Sequence, residues 1–196
     1  MKKCIVVSDS FKGTLSSLDI CAAARRVIPE CFPGCEAVTI PVADGGEGTV
    51  DCFIEAMGAS PVTVEVTGVL GQPVAARYAR LGGLAVVEMA AAAGLPLAGS
   101  TRSPGRATTF GVGELIAHAV RAGCTTVLLG LGGSATNDGG CGCAAALGVK
   151  FFDGSGAEFV PMGDTLRDIA HMPARVKCAM LGWRTLAQAI GDQQPE

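Results

Sequence analysis

Gly130 to Gly142 reads Gly-Leu-Gly-Gly-Ser-Ala-Thr-Asn-Asp-Gly-Gly-Cys-Gly, and it separates two segments of opposite habit. Thr125-Thr126-Val127-Leu128-Leu129 before it is rich in strand formers. Cys143-Ala144-Ala145-Ala146-Leu147 after it is a small-residue run that reads as a short helix. Strand, glycine loop, helix is the order of a layered α/β protein. It sets backbone N–H groups and a helix N-terminus at the carboxyl end of a strand, where anions bind. Glycine lets the backbone approach a phosphate closely. Ser134, Thr136, Asn137 and Asp138 add hydroxyl, amide and carboxyl groups at the same place. The plain alternative is an ordinary βα connection, which has no need of four polar side chains so close together.

The amino-terminal third repeats this order twice. Cys4-Ile5-Val6-Val7 is a continuous apolar run fit for a buried parallel strand, and it opens into Ser8-Asp9-Ser10-Phe11-Lys12-Gly13-Thr14. Ser16 with Asp19 three residues on predicts a capping box and a helix that runs to Ile28 before Pro29. Leu18, Cys21, Ala22 and Ile28 form its apolar stripe, with Arg25 as the polar member. Ala37 to Val42 is a second strand, opening into Ala43-Asp44-Gly45-Gly46-Glu47-Gly48-Thr49. A helix over Thr49 to Met57 follows, with Gly58 placed as its C′ residue. In an open α/β sheet both loops lie at the carboxyl edge, where ligands bind.

The pattern changes after Gly58. Val62, Val64 and Val66 alternate with polar residues, and Val74 to Leu81 and Leu84 to Met89 flank Gly82-Gly83, so a meander is expected. Gly111 to Ala122 predicts a helix with Leu115, Ile116, Ala119 and Val120 buried. Val149 to Phe152 reads as a strand, Asp153 to Gly156 as a turn and Asp164 to Ala170 as a short helix. The change of pattern places a domain boundary near residue 60, and the expected fold class is α/β.

Composition narrows the function. A net charge of −3 and 5% aromatic residues give neither the basic footprint nor the stacking platforms of a nucleic-acid binder. Met1-Lys2-Lys3 precedes only four apolar residues, and the run Leu84 to Leu97 is broken by Glu88, Gly94 and Pro96, so no membrane segment is read. Nine cysteines without a Cys-x2-Cys pair, and only two histidines, argue for reduced core thiols in a cytoplasmic protein rather than zinc. Polar constellations remain at Asp9-Ser10-Lys12, at Asp44-Gly45-Gly46-Glu47, at Arg102 to Thr109 and at the opening loop. Acids, a lysine and glycines on several loops suit phosphoryl transfer. One rival motif is present. Gly130, Gly132 and Ala135 with Asp153 about 20 residues on fit a nicotinamide-dinucleotide fingerprint, although Asn137 to Gly140 interrupts the helix that fold needs.

The segments Asp9 to Thr14, Pro41 to Thr49 and Gly130 to Gly140 together resemble the type 1 glycerate kinase family, and Glu88-Met89-Ala90 and Ala107 to Ile116 are similar to it as well. The resemblance runs from Met1 to about Ile169, and on it residues 1–60 are expected as a partial flavodoxin-like α/β domain with a parallel sheet, 61–170 as a second α/β domain with a mixed sheet and helices, and 171–196 as a divergent tail. It implies ATP-dependent phosphorylation of glycerate with Mg²⁺, and two α/β domains, the first flavodoxin-like, with the active site in the cleft between them. Asp9, Lys12, Asp44, Glu47, Ser134, Asn137 and Asp138 are the motif positions carried over. On this reading Lys12 binds an anionic group and Asp44 or Asp138 serves as base or Mg²⁺ ligand. Ser10, Gly45, Gly46, Thr108 and the backbone of Gly132, Gly133 and Ser134 face phosphate or substrate. Family members are about twice this long, so the first domain is expected to be a fragment that exposes apolar sheet surface. Self-association or a complementary C-terminal half would cover it. A non-catalytic remnant of the kinase fold is the alternative.

Overall fold

The structure is a computed structural model that describes residues 2–100 and 103–169. Arg102, Ala170 as the last residue of the expected short helix, and the expected tail 171–196, with Arg175, Lys177, Trp183 and Arg184, lie outside the described residues.

Strands β1 (Lys3–Ser8) and β2 (Glu36–Pro41) pair in parallel, with Lys3 opposite Glu36 and Ser8 opposite Pro41. Helix α1 (Ser17–Cys31) crosses between them and lies on one face, where the Arg25 side chain reaches Thr39 at 2.7 Å. The capping box forms as read: Asp19 N–H donates to the Ser16 hydroxyl and Ser16 N–H to the Asp19 carboxylate. The helix does not stop before Pro29. Proline removes one bond to the Arg25 carbonyl, and so near the end that loss is tolerated, because Phe32 N–H still closes on the Ile28 carbonyl at 2.8 Å. The buried side of α1 is set by Ser17 and Cys21; Ala22 is exposed. The opposite face of β1–β2 carries Ile5, Val7 and Ile40, which are 61%, 58% and 45% exposed.

The second sheet has the order β3 (Ser60–Thr67), β4 (Pro73–Leu81), β5 (Leu84–Glu88), β6 (Thr126–Gly130). The first three are the expected antiparallel meander. β6 is parallel to β5, with Glu88 opposite Gly130, and the crossover carries α3 (Ala90–Ala93) and α4 (Phe110–Arg121). Successive strand residues face opposite ways, and both faces are covered. α4 packs Val112, Leu115 and Ala119 against Val66, Ala76, Tyr78, Ala85 and Val87. Val120, read as part of that stripe, is 54% exposed. The Tyr78 hydroxyl lies 3.2 Å from His118 Nδ1, which gives the buried phenol a polar partner.

On the other face α2 (Thr49–Met57) packs Val50, with Phe53 and Ile54, against Ala79 and Val86. Gly58 ends α2 in the left-handed region at φ 66°, as read for a C′ glycine. The boundary drawn near residue 60 thus follows a helix whose apolar face belongs to the second sheet. By packing, the chain passes from one sheet to the other between β2 and α2.

Helix α5 (Cys141–Ala146) lies against α4. The expected strand at Val149 to Phe152 shortens to β7 (Phe151–Phe152), paired with β8 (Glu158–Phe159) in a separate hairpin. The expected helix from Asp164 is a single 3-10 turn, Leu166–Asp168. Leu115 is fully buried between α4 and the sheet. Leu115→Ala should lower unfolding free energy by about 2–5 kcal/mol, read as a lower urea midpoint by circular dichroism.

Candidate active site

Three loops meet at the carboxyl ends of β1, β2 and β6. Ser17, the first residue of α1, ties two of them together. Its buried hydroxyl donates to the Ser8 carbonyl at 2.7 Å and accepts Val42 N–H at 3.1 Å, so the ends of β1 and β2 are held at one point. The second and third loops join backbone to backbone. Gly132 N–H donates to the Gly45 carbonyl at 2.9 Å. A Cβ on Gly130 would stand 2.4 Å from the Gly45 oxygen, and one on Gly132 would stand 2.7 Å from the Gly46 backbone. Glycine is required here because two main chains touch.

A cavity of about 400 Å³ opens between the β1 loop and α2. Asp9, Ser10, Lys12, Glu47, Gly48, Asp51, Cys52, Arg77 and Glu88 are among its lining residues. The Lys12 ammonium lies 3.6 Å from the Asp44 carboxylate, joining the first two loops. Asp44 Oδ1 also accepts Gly46 N–H at 3.0 Å. That bond first, and Lys12 second, hold the Asp44 carboxyl below the usual aspartate range. Asp9 turns back on its own loop and accepts Ser10 N–H at 2.7 Å. Arg77 on β4 pairs with Asp51 in the first turn of α2 at 2.5 Å. Glu88 ends β5, and its Oε2 accepts Val50 N–H at 3.0 Å. Burial pushes the Glu88 carboxyl up, against the pull of the Val50 and Gly48 amides.

Of the residues singled out from the sequence, the structure brings Lys12, Asp9, Ser10 and Glu47 together at this cavity, with Asp44 outside its lining and held to it through Lys12. Gly45, Gly46, Gly132 and Gly133 form or flank the glycine joint behind it. Asp138 and Thr108 go elsewhere, which corrects their reading as ligand-facing groups. Asp138 is fully buried. Its Oδ2 accepts Thr109 N–H at 2.7 Å, the Thr109 hydroxyl at 2.8 Å and Gly142 N–H at 3.1 Å, and its Oδ1 accepts Gly140 N–H at 3.0 Å. The helix N-terminus offered by the opening loop is therefore taken by the protein's own carboxyl group. Thr108 is buried, its amide donates to the Val69 carbonyl, and its hydroxyl accepts Phe110 N–H at 3.2 Å. The Ser134 hydroxyl bonds Thr136 at 2.7 Å, and neither Ser134 nor Asn137 lines the cavity.

The dinucleotide reading loses its acidic partner. Asp153 Oδ1 is used within its own turn by Ser155 N–H, the Ser155 hydroxyl and Ala157 N–H, and β7 does not join the sheet of β6. Sequence reasoning missed Arg77, Asp51 and Glu88 as cavity residues. Glu88 did carry a signal, as the one charge at the end of the apolar run Leu84 to Val87.

The described residues thus form an α/β protein in which Lys12 lines a cavity at the strand ends and pairs with the Asp44 carboxylate. The pattern of the Glycerate kinase family matches residues 4–182, and the chain belongs to that family. The match reaches past Ile169, where the sequence resemblance was read to stop. A glycerate kinase of Bacillus cereus is 43% identical over 183 residues, covering 89% of this chain and 48% of that protein. The glycerate kinase of Bacillus subtilis is 46% identical over 173 residues, covering 87% and 45%. A crystal structure described as a glycerate kinase 2 from Salmonella typhimurium LT2 superposes with a TM-score of 0.73 at 41% identity, covering 88% of this chain and 48% of that one. The chain spans about half the length of these relatives.

Asp138→Ala would leave three backbone amides and one hydroxyl without their acceptor inside the fold. Each unsatisfied buried donor costs about 1–3 kcal/mol. The variant should lose roughly 3 kcal/mol or more in urea unfolding, with α5 amides exchanging first by hydrogen–deuterium exchange.

Proposed function

We propose that this chain carries part of the active site of an ATP-dependent glycerate kinase and that the cavity at Lys12 and Asp44 takes the anionic reactants. The observation that carries the reading is the Lys12–Asp44 pair, which joins a cation lining the cavity to an ionised carboxylate from a different strand end. The names of the relatives supply the substrate, glycerate.

Mg²⁺ fits the same place. Among the described residues no group of three His, Cys, Asp or Glu side chains forms an all-protein metal cage. Magnesium in phosphoryl-transfer sites takes one or two carboxylates and completes its shell with phosphate and water oxygens. Asp44, exposed and held ionised, supplies such a carboxylate. When bound, the metal–nucleotide supplies the phosphoryl group and neutralises its charge.

The chain's own residues then have separable tasks. Lys12 attracts and orients a phosphate or carboxylate. Ser10 and Glu47 offer hydrogen-bonding groups on the facing walls. The glycine joint keeps the Asp44 loop from moving away from β6. Asp138 acts at a distance, as the tie that holds the Gly130 loop in shape. The eight cysteines of the described residues are free thiols, which supports a reducing, cytoplasmic setting.

The face of Ile5, Val7 and Ile40, exposed among the described residues, favours a second reading, a non-catalytic remnant of the kinase fold. A complementary half, or self-association, would cover that face. The test is an ADP-coupled assay with glycerate and Mg²⁺, run on the chain alone and on the chain mixed with the second half of the Bacillus subtilis relative. Turnover that falls about 100-fold or more in Lys12→Ala supports the kinase reading. No turnover in either mixture removes it.

A further inference from the structure

We propose that Glu88 is the proton acceptor for the hydroxyl group phosphorylated in this cavity, a role that rests on the kinase reading above. The residue ends β5 on the cavity wall, in register with Gly130, where the glycine loop begins. Its Oε2 is anchored by Val50 N–H at 3.0 Å, so one carboxylate oxygen is fixed by the first turn of α2. A base on a strand end, held by a backbone donor, is better positioned than one on a free loop.

The other carboxylates at the site are committed elsewhere. Asp44 is bound to Lys12 and Gly46 N–H and kept ionised, which suits a metal ligand and weakens it as a base. Asp9 is taken by Ser10 N–H, and Asp51 by Arg77. Asp138 is sealed inside the fold. Glu47 is exposed on the loop before α2. Glu88 alone combines a fixed position with partial desolvation. Burial is the largest influence on its carboxyl and raises its proton affinity; Asp51 adds to this, and the Val50 and Gly48 amides and Arg77 oppose it. Lys12, Asp9 and Glu47 line the same cavity.

In the step, the acceptor O–H bond breaks and its proton passes to Glu88. The oxygen forms a new O–P bond with the terminal phosphoryl group of a nucleoside triphosphate, whose bond to the leaving diphosphate breaks. Glu88 then returns the proton to water.

The discriminating variant is Glu88→Gln. Its amide oxygen still accepts Val50 N–H, so a residue that only caps α2 would be replaced without loss. The proposal expects an unchanged melting curve, KM for glycerate within about threefold, and kcat lower by about 100-fold or more. It also expects the acid limb of the wild-type kcat profile, where Glu88 becomes protonated, to lie above the ordinary glutamate range and to vanish in the variant. A kcat for Glu88→Gln within about threefold of wild type overturns it. A readout independent of turnover is carbon-13 NMR of glutamate-labelled 196-residue chain. Glycerate should move the Glu88 carboxyl signal and propanoate, which lacks the hydroxyls, should not. Equal response to both, or none at saturating glycerate, overturns the proposal. Absence of turnover in wild type with a shifted Glu88 signal would instead count against the kinase reading alone.

Discussion

The carboxyl group of Asp138 is the interaction on which most of this architecture hangs. Buried and surrounded by donors, it gathers the start of α4 through Thr109, the turn at Gly140 and the start of α5 through Gly142. The Thr109 hydroxyl extends the network, since it donates to Asp138 and accepts Cys143 N–H at 2.8 Å. Two helix starts, each with amides that lack intrahelical partners, are thus satisfied by one side chain. The same burial raises the thiols beside it: desolvation first, and Asp138 second, push Cys141 up to about 11. Those cysteines are packing groups rather than nucleophiles.

Because that network fixes the far end of the Gly130 to Gly142 loop, its near end can press flat against the Asp44 loop. α3 and the 3-10 turn after it add further ties, with Ala135 N–H on the Ala93 carbonyl at 2.9 Å and Leu95 N–H on the Gly133 carbonyl at 3.0 Å. The cavity is a consequence of these joints. It forms where the β1 loop, carrying Lys12, leans over α2 and the end of β5. Two charged pairs there join different elements, Lys12 with Asp44 and Arg77 with Asp51. Pairs of this exposure add little stability; their value lies in fixing where charged groups stand.

Much of this was legible in the sequence, for local reasons. The capping box at Ser16, the Gly58 stop and the valine alternation of β3 are encoded within a few residues and appear as read. What escaped depended on contacts between distant segments. An aspartate among glycines and hydroxyls looks the same whether it faces a ligand or its own amides, and only the fold shows that Asp138 faces inward. The glycines at Gly45 and Gly130 read as a phosphate cradle, but much of their need comes from each other, 85 positions apart in the chain. Pro29 was given the weight of a mid-helix proline although only two helical residues follow it. Arg77 lies on a strand and carries no motif, and Glu88 stands in the family-like Glu88-Met89-Ala90 segment without a spacing that points it at a site, so the place of both at the cavity follows from sheet register.

The glycine joint also limits how the molecule can move. With Gly130 and Gly132 seated on Gly45 and Gly46, there is no side chain between the two loops to act as a bearing. Sliding one loop past the other would break the Gly132–Gly45 bond and strip main-chain groups of their partners. Any opening and closing of the cavity must therefore swing from the β1 side, where Phe11 to Ser16 is exposed. The Asp44 loop is the fixed jaw and the Lys12 loop the travelling one.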